Sequence, residues 1–193
     1  MRRIATWLTL ISFLFAVVAA PSLLAQSSPP KTAPKSEDKL PPSLSREIHH
    51  QILLLPFYSV FDSINFTLQG NKVTLTGQVL RHSLKEHAEA AVKSIEGVDI
   101  VVDQIEILPA SASDDDLRRA VYRAVYEDST LARYAVQNVP PIHIIVKNGS
   151  VALEGSVDSA SDKKLAVARA GSVAKVLSVK NNLVVHPKES AAE

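Results

Sequence analysis

The sequence predicts an α+β fold of two tandem α-β-β-α-β units, each a three-stranded mixed sheet with two helices on one face. Three observations point to it. The stretches "NKVTLTGQV" at 71–79 and "GSVALEGSV" at 149–157 share a turn residue followed by Val, Leu, Gly and Val at alternate positions, the period of a strand with one buried face. Apolar residues at helical spacing stand before and after each of them. The two copies also align throughout: Gly77 on Gly155, Ala88 on Ala166, Ile105 on Leu183 and Pro109 on Pro187 at a shift of 78, with the first helices at 73, Leu44 on Leu117 and Ile48 on Val121. The five-residue difference is an insertion in the second copy, most simply within "QNVPPI". A constant register over this length marks an internal repeat.

The elements follow in order. Leu44, Ile48, Ile52 and Leu55 recur at helical spacing, with Ser43 or Ser45 as N-cap and Pro56 ending the helix. "DSINFTLQ" alternates Ile64, Phe66 and Leu68 inward, "GN" turns the chain, and "KVTLTGQV" completes a hairpin. Ser83 and Glu86 form a capping-box pattern before a helix carrying Leu84, Ala88, Ala91, Val92 and Ile95. Gly97 closes it, and "VDIVVDQIEIL" alternates into a third strand. In the second unit Ser113 and Asp116 cap a helix with Leu117, Val121, Ala124 and Val125. "IHIIV" and "SVALEGSV" form the hairpin around "KNG", Lys163 to Val173 is helical, and "VLSVKNNLVVH" is the last strand.

The predicted boundaries are a signal peptide over 1–25, a Pro-rich linker over 26–43, the units over 44–109 and 113–187, and a loose tail over 188–193. Arg2 and Arg3 precede an apolar run from Ile4 to Ala20 that leads into small residues, the layout of a secretory signal. Cleavage after Ala25 avoids leaving Pro21 at the new N-terminus; the alternative is an uncleaved membrane anchor. The stretch "QSSPPKTAPKSEDKLPPS" has too few apolar side chains to offset its ordering entropy. With no Cys among 193 residues, the chain carries neither a disulfide nor a lipidated cysteine. Cleavage removes two of 21 basic side chains and none of the 20 acidic ones. The resulting balance of about −1 argues against nucleic-acid binding, which needs a positive face for phosphates.

A glycine inside a strand packs nothing and weakens the backbone, so Gly77 and Gly155 ask for a local reason. Close approach of a neighbouring element, or a bulge, supplies one. These two and Gly97 are read as structural.

No residues support catalysis. The chain has no Gly-rich phosphate loop, no H-E-x-x-H, no G-x-S-x-G and no cysteine nucleophile. His49 and His50 are adjacent and diverge on a helix, while His82 and His87 are five apart. No metal site and no cofactor are expected. Asp114, Asp115 and Asp116 suit a helix N-terminus and need no other role.

The pattern of a helix ending near "LLLPFYS", then "INFTLQGNKVTLTGQV", a second helix and "IEGVDIVVDQIEI" resembles the BON domain, a module of bacterial envelope proteins. The resemblance spans about 44–109 and again 113–187. Two copies behind an export signal resemble periplasmic double-BON proteins related to osmotically inducible and outer-membrane-integrity factors. The second copy departs from the first in having Ser129 for Pro56 and Lys175 for Gly97. The resemblance implies no enzymatic activity, but binding to phospholipid membranes and support of envelope integrity or stress tolerance in the periplasm.

Two features exceed what folding requires. Once Ile52 and Leu55 face a core, Leu53, Leu54, Phe57 and Tyr58 cannot all join the same stripe. They pack between the units, widen the core, or form an apolar surface for a membrane or a protein partner, the last being the basis of an alternative reading as a chaperone-like or protein-interaction module. The second feature is charge. Residues 44–109 hold five basic and eight acidic side chains, whereas 113–187 hold ten and eight. The helix near 117–126 groups Arg118, Arg119 and Arg123 with Tyr122 and Tyr126, residue types that suit the headgroup region of an anionic bilayer. These five are the expected lipid-binding residues; envelope proteins are further possible partners, and the sequence leaves the oligomeric state open.

Overall fold

The computed structural model describes residues 42–186. The expected signal peptide, most of the expected Pro-rich linker and the expected tail lie outside the described residues. The chain runs α1 (Pro42–Leu53), β1 (Ser63–Gln69), β2 (Lys72–Val79), α2 (His82–Lys93) and β3 (Ile100–Ile107), then α3 (Ala112–Tyr126), a short 3-10 helix (Ala132–Val136), β4 (Ile142–Lys147), β5 (Ser150–Val157), α4 (Ala160–Gly171), β6 (Ser178–Asn181) and β7 (Val184–Val185). This is the predicted helix-strand-strand-helix-strand order, twice. The last strand of the second copy is split by Asn182 and Leu183, so that β6 and β7 both pair with β5.

In the first repeat β1 runs antiparallel to β2, and β3 returns parallel to β2 after the α2 crossover, in the order β1-β2-β3. The second repeats this as β4-β5-β6. The alternation of the sequence becomes a sided sheet: Val73, Leu75 and Val79 of β2 are fully buried against Ile48 and Ile52 of α1 and Leu84, Ala88 and Val92 of α2, while Thr74, Thr76 and Gln78 face the other way and are half-buried. Burying such a branched side chain contributes roughly 1.5–3 kcal/mol. Both helices therefore sit on one face. The second core is built alike from Leu117, Val121 and Val125 of α3, Ala166 and Ala170 of α4, and Val151, Leu153 and Val157 of β5.

The close-approach reading of the glycines has a geometric basis. A Cβ on Gly77 would lie 2.0 Å from the Ser63 carbonyl oxygen, and one on Gly155 would lie 2.0 Å from that of Pro141. Both glycines hold positive φ, 121° and 98°, at the point where the preceding strand enters its hairpin.

A second repeated device closes each sheet edge. The ammonium of Lys85 donates to the Ile105 carbonyl at 2.7 Å, while the Asp103 side chain accepts the Ile105 N–H at 2.8 Å. Lys163 does the same to the Leu183 carbonyl, and Asn181 accepts the Leu183 N–H at 3.2 Å. These groups occupy backbone sites on the outer strand that would otherwise invite another chain.

Several helix ends differ from the sequence expectation. The first helix begins at Pro42, so Ser43 and Ser45 lie inside it; Pro is well suited to a first helical position. α2 is entered from Arg81 with no side-chain cap, because β2 leads almost directly into it, and Ser83 is a helical residue. For α3, "SASDDD" offers the same Ser-x-x-Asp spacing in two registers, and the earlier is used: the Ser111 side chain accepts the Asp114 N–H. α4 starts at Ala160, ahead of the expected Lys163, because Ser159 caps it through the Asp162 N–H. Gly97 lies four residues beyond the last residue of α2, in the following turn rather than at the helix end.

Candidate functional site

Both repeats belong to one compact unit, and β4 shows why. All five residues from Ile142 to Val146 are buried, with no alternation, the mark of a strand covered on both faces. Ile142, Ile144 and Val146 face the helices of their own repeat. The other face meets the first repeat. The Tyr58 ring lies 5.5 Å from that of His143, the Ile144 N–H donates to the Val60 carbonyl at 2.7 Å, and the Ser63 hydroxyl donates to Glu154 at 2.6 Å. Lys147 pairs with Glu106 at the rim.

The joint divides the apolar 53–61 segment. Tyr58 is enclosed at the junction, its hydroxyl accepting the Ile64 N–H at 3.4 Å, and burial pushes its pKa up to about 12. It is therefore no part of an exposed apolar surface. Val60 and Phe61 pack into the core of the second repeat. Leu53, Leu54 and Phe57 remain exposed.

The same test divides the five α3 residues. Arg118 is 2% exposed: its guanidinium donates to Asp115 at 2.5 Å and to the Val146 carbonyl at 2.7 Å, fastening α3 to the end of β4. Tyr126 is 4% exposed, donates its hydroxyl to the Ile142 carbonyl at 2.6 Å and accepts the Ile142 N–H at 3.2 Å; burial drives its ionisation far upward. Neither can meet a bilayer. For Arg118 the reason is angular: each residue advances about 100° around the axis, so Arg118 lies about 60° from the centre of the arc set by Leu117, Val121 and Val125, whereas Arg119 and Arg123 lie about 160° from it. Tyr126 lies outside that arc and is buried instead by the start of β4, whose Ile142 holds its hydroxyl.

What remains exposed is a smaller and more specific arrangement. Arg119 and Arg123 lie one turn apart on the outer side of α3, with Tyr122 half-buried between them. Phe61 from the first repeat sits edge-on to Tyr122 at 6.1 Å, and Tyr122 packs on Tyr126 at 4.9 Å. Phe61, Arg119, Tyr122 and Arg123 together line a shallow concavity of about 320 Å³. Arg119 also pairs with Asp116 at 2.5 Å, both exposed, a contact of little strength in water. The sequence pattern alone does not single out Phe61. Its signal was the length of "ILLLPFYSVF", which outruns any single helical stripe.

The four side chains that line this concavity supply two guanidinium groups and two aromatic faces, and none of the four is a carboxylate or an imidazole. Among the described residues no group of three His, Cys, Asp or Glu side chains could hold a metal ion.

The BON domain family model matches residues 61–109 and 113–187, well over half of the chain. No curated protein matches it. Among solved structures, that of CdsD, a structural protein of the type III secretion system of Chlamydia trachomatis, is similar over 76% of this chain and 94% of that one, at 16% identity and a TM-score of 0.29. The C-terminal domain of the same protein is similar over 76% and 99%, at 15% identity and a TM-score of 0.28. Likeness at these levels carries nothing over to this chain.

Proposed function

This chain belongs to the BON domain family, and from that premise we propose that it is a non-enzymatic, exported module that docks on anionic phospholipid through α3 of its second repeat and supports the cell envelope in the periplasm. BON domains are binding modules associated with phospholipid and the envelope, and generally non-catalytic. The single observation that carries the finer reading is Phe61 seated on Tyr122 between Arg119 and Arg123. Aromatic rings there contact the glycerol and upper acyl region, and the two guanidinium groups reach phosphate oxygens.

The magnitudes make this a weak, salt-sensitive attachment. A basic side chain near an anionic membrane contributes about 1 kcal/mol, so Arg119 and Arg123 provide roughly 2 kcal/mol before competition from Asp116. Burial of the exposed edges of Phe61 and Tyr122 has to supply the rest. No helix among the described residues is long and apolar enough to cross a membrane, which is consistent with docking by a surface.

Co-sedimentation of residues 26–193 with vesicles tests the reading. Binding to anionic vesicles, abolished by salt and by the double variant Arg119→Glu, Arg123→Glu, is the expected outcome. Equal binding to purely zwitterionic vesicles, or no effect of the double variant, refutes the α3 face.

A further inference from the structure

The chain makes the same turn after α1, α2 and α4. The Tyr58 N–H donates to the Leu55 carbonyl at 3.3 Å, Val98 to Ile95 at 3.1 Å, and Val176 to Val173 at 3.3 Å. In each turn the third residue has positive φ: Phe57 at 68°, Gly97 at 92° and Lys175 at 72°. A four-residue turn with positive φ at its third position calls for glycine there and favours proline at its second. Pro56 and Gly97 answer that demand. Phe57 and Lys175 do not, since a side chain in the left-handed region is strained, and of the two only Phe57 is apolar.

Burial offers no compensation. Phe57 is 65% exposed, beside Leu54 at 62% and Leu53 at 40%. Folding thus accounts for Leu55, buried below this corner, and for Tyr58, enclosed at the junction, but for neither Leu54 nor Phe57. Strain retained together with exposed apolar surface is a sign of a working contact. The surroundings point to its chemistry. The Arg81 guanidinium lies 4.9 Å from the centre of the Phe57 ring, and the neighbouring Leu53 borders a surface hollow that it shares with Arg46, Glu47, His49 and His50. An apolar tip with a guanidinium against its aromatic ring is complementary to the boundary between phosphate headgroups and acyl chains.

We propose that the turn after α1 is a membrane wedge: Leu54 and Phe57 insert at the headgroup–acyl boundary of an anionic phospholipid bilayer, with Arg81 at the phosphates. This rests on the phospholipid reading above and adds a second contact, on the other repeat. Phe57 stands four residues before Phe61, a chain distance of at most about 14 Å, so the wedge and the α3 face lie close together.

The test exploits the strain. Phe57→Gly installs the residue that the turn demands, so its melting temperature should equal or exceed that of the unsubstituted protein, while its affinity for vesicles of phosphatidylglycerol and phosphatidylethanolamine should fall about tenfold. Leu54→Ser, at a solvent-facing position, should weaken binding in the same direction. Because the chain has no cysteine, Phe57→Cys can carry a single environment-sensitive fluorophore, whose emission should shift to the blue on vesicle addition and be quenched by spin labels on the upper acyl chain. Full vesicle affinity in Phe57→Gly, or an unshifted label on protein that co-sediments, overturns the wedge and leaves α3 docking standing. Failure of the unsubstituted protein to bind overturns both readings. A label that shifts only with an unfolded protein client, in lipid-free buffer, assigns the corner to protein partners and also overturns the wedge.

Discussion

Asp114, in the first turn of α3, holds Asn148 in the β4–β5 turn through a 2.8 Å hydrogen bond from the Asn148 N–H to its carboxylate. The same carboxylate accepts the Gly149 N–H at 2.9 Å and is 3% exposed. Asn148 and Gly149 both have positive φ, 51° and 76°, the conformation of a tight two-residue hairpin turn. Asp114→Ala would leave two partly buried N–H groups without an acceptor. It should cost about 2–3 kcal/mol, read as a lower urea midpoint with unchanged slope, whereas the exposed Asp116→Ala should stay within about 0.5 kcal/mol.

The two close-approach glycines, Gly77 and Gly155, should be far less replaceable than Gly70 in the first hairpin. Gly77→Ala or Gly155→Ala places a methyl group 2.0 Å from a backbone carbonyl oxygen, whereas a Cβ on Gly70 meets nothing within 4 Å. Gly70→Ala should cost about 1 kcal/mol from its positive φ of 58°. The other two should each cost about 3 kcal/mol or more, since backbone must move. Thermal melts of the three variants check the order.

The fold was legible because its signals are periodic. Alternation in β2 and β5, helical spacing in α1 to α4 and the constant shift between copies all depend on neighbours within a few residues or on the copy itself. What escaped was set by contact between the copies. "IHIIV" has no alternation because Tyr58 and its neighbours cover the second face of β4, and nothing within that stretch says what covers it. The five candidate lipid-binding residues do share one side of α3, but β4 covers part of that side: Val146 takes Arg118 and Ile142 takes Tyr126, and the helix sequence alone does not say where β4 lies. Phe61 entered the candidate site because the first repeat reaches into the second. Asp114 carried a role beyond charge at a helix start because the turn it holds lies 34 residues further on.

Arg118 and Arg119 are neighbours that should behave as opposites. Arg118→Leu removes the donor to the Val146 carbonyl and one partner of Asp115, so it should destabilise the protein by about 2 kcal/mol. Arg119→Leu should change stability by no more than about 0.5 kcal/mol, but should weaken binding to anionic vesicles at low salt. Pairing urea titrations with vesicle co-sedimentation separates the two roles. Equal loss of vesicle binding in a folded Arg118 variant would contradict its assignment to the core.

Stability should fall in mild acid through His143. Its ring is 9% exposed, Nδ1 has no hydrogen-bond partner, and burial holds its pKa below the usual imidazole value, with the Asp62 and Glu154 carboxylates opposing that shift only in part. The sign follows from linkage. The unfolded chain takes up the proton first, near pH 6.5, so the contribution of neutral His143 is complete above that value and is lost as pH falls from there toward the lower folded pKa. The other described histidines are exposed. Urea midpoints measured from pH 8 to pH 5 should therefore hold steady down to about pH 6.5 and then decline. In His143→Phe, whose ring keeps the stacking on Tyr58 without a titrating nitrogen, that part of the decline should vanish. A variant that declines just as steeply would place the acid sensitivity elsewhere, in the carboxylates that clamp the turns.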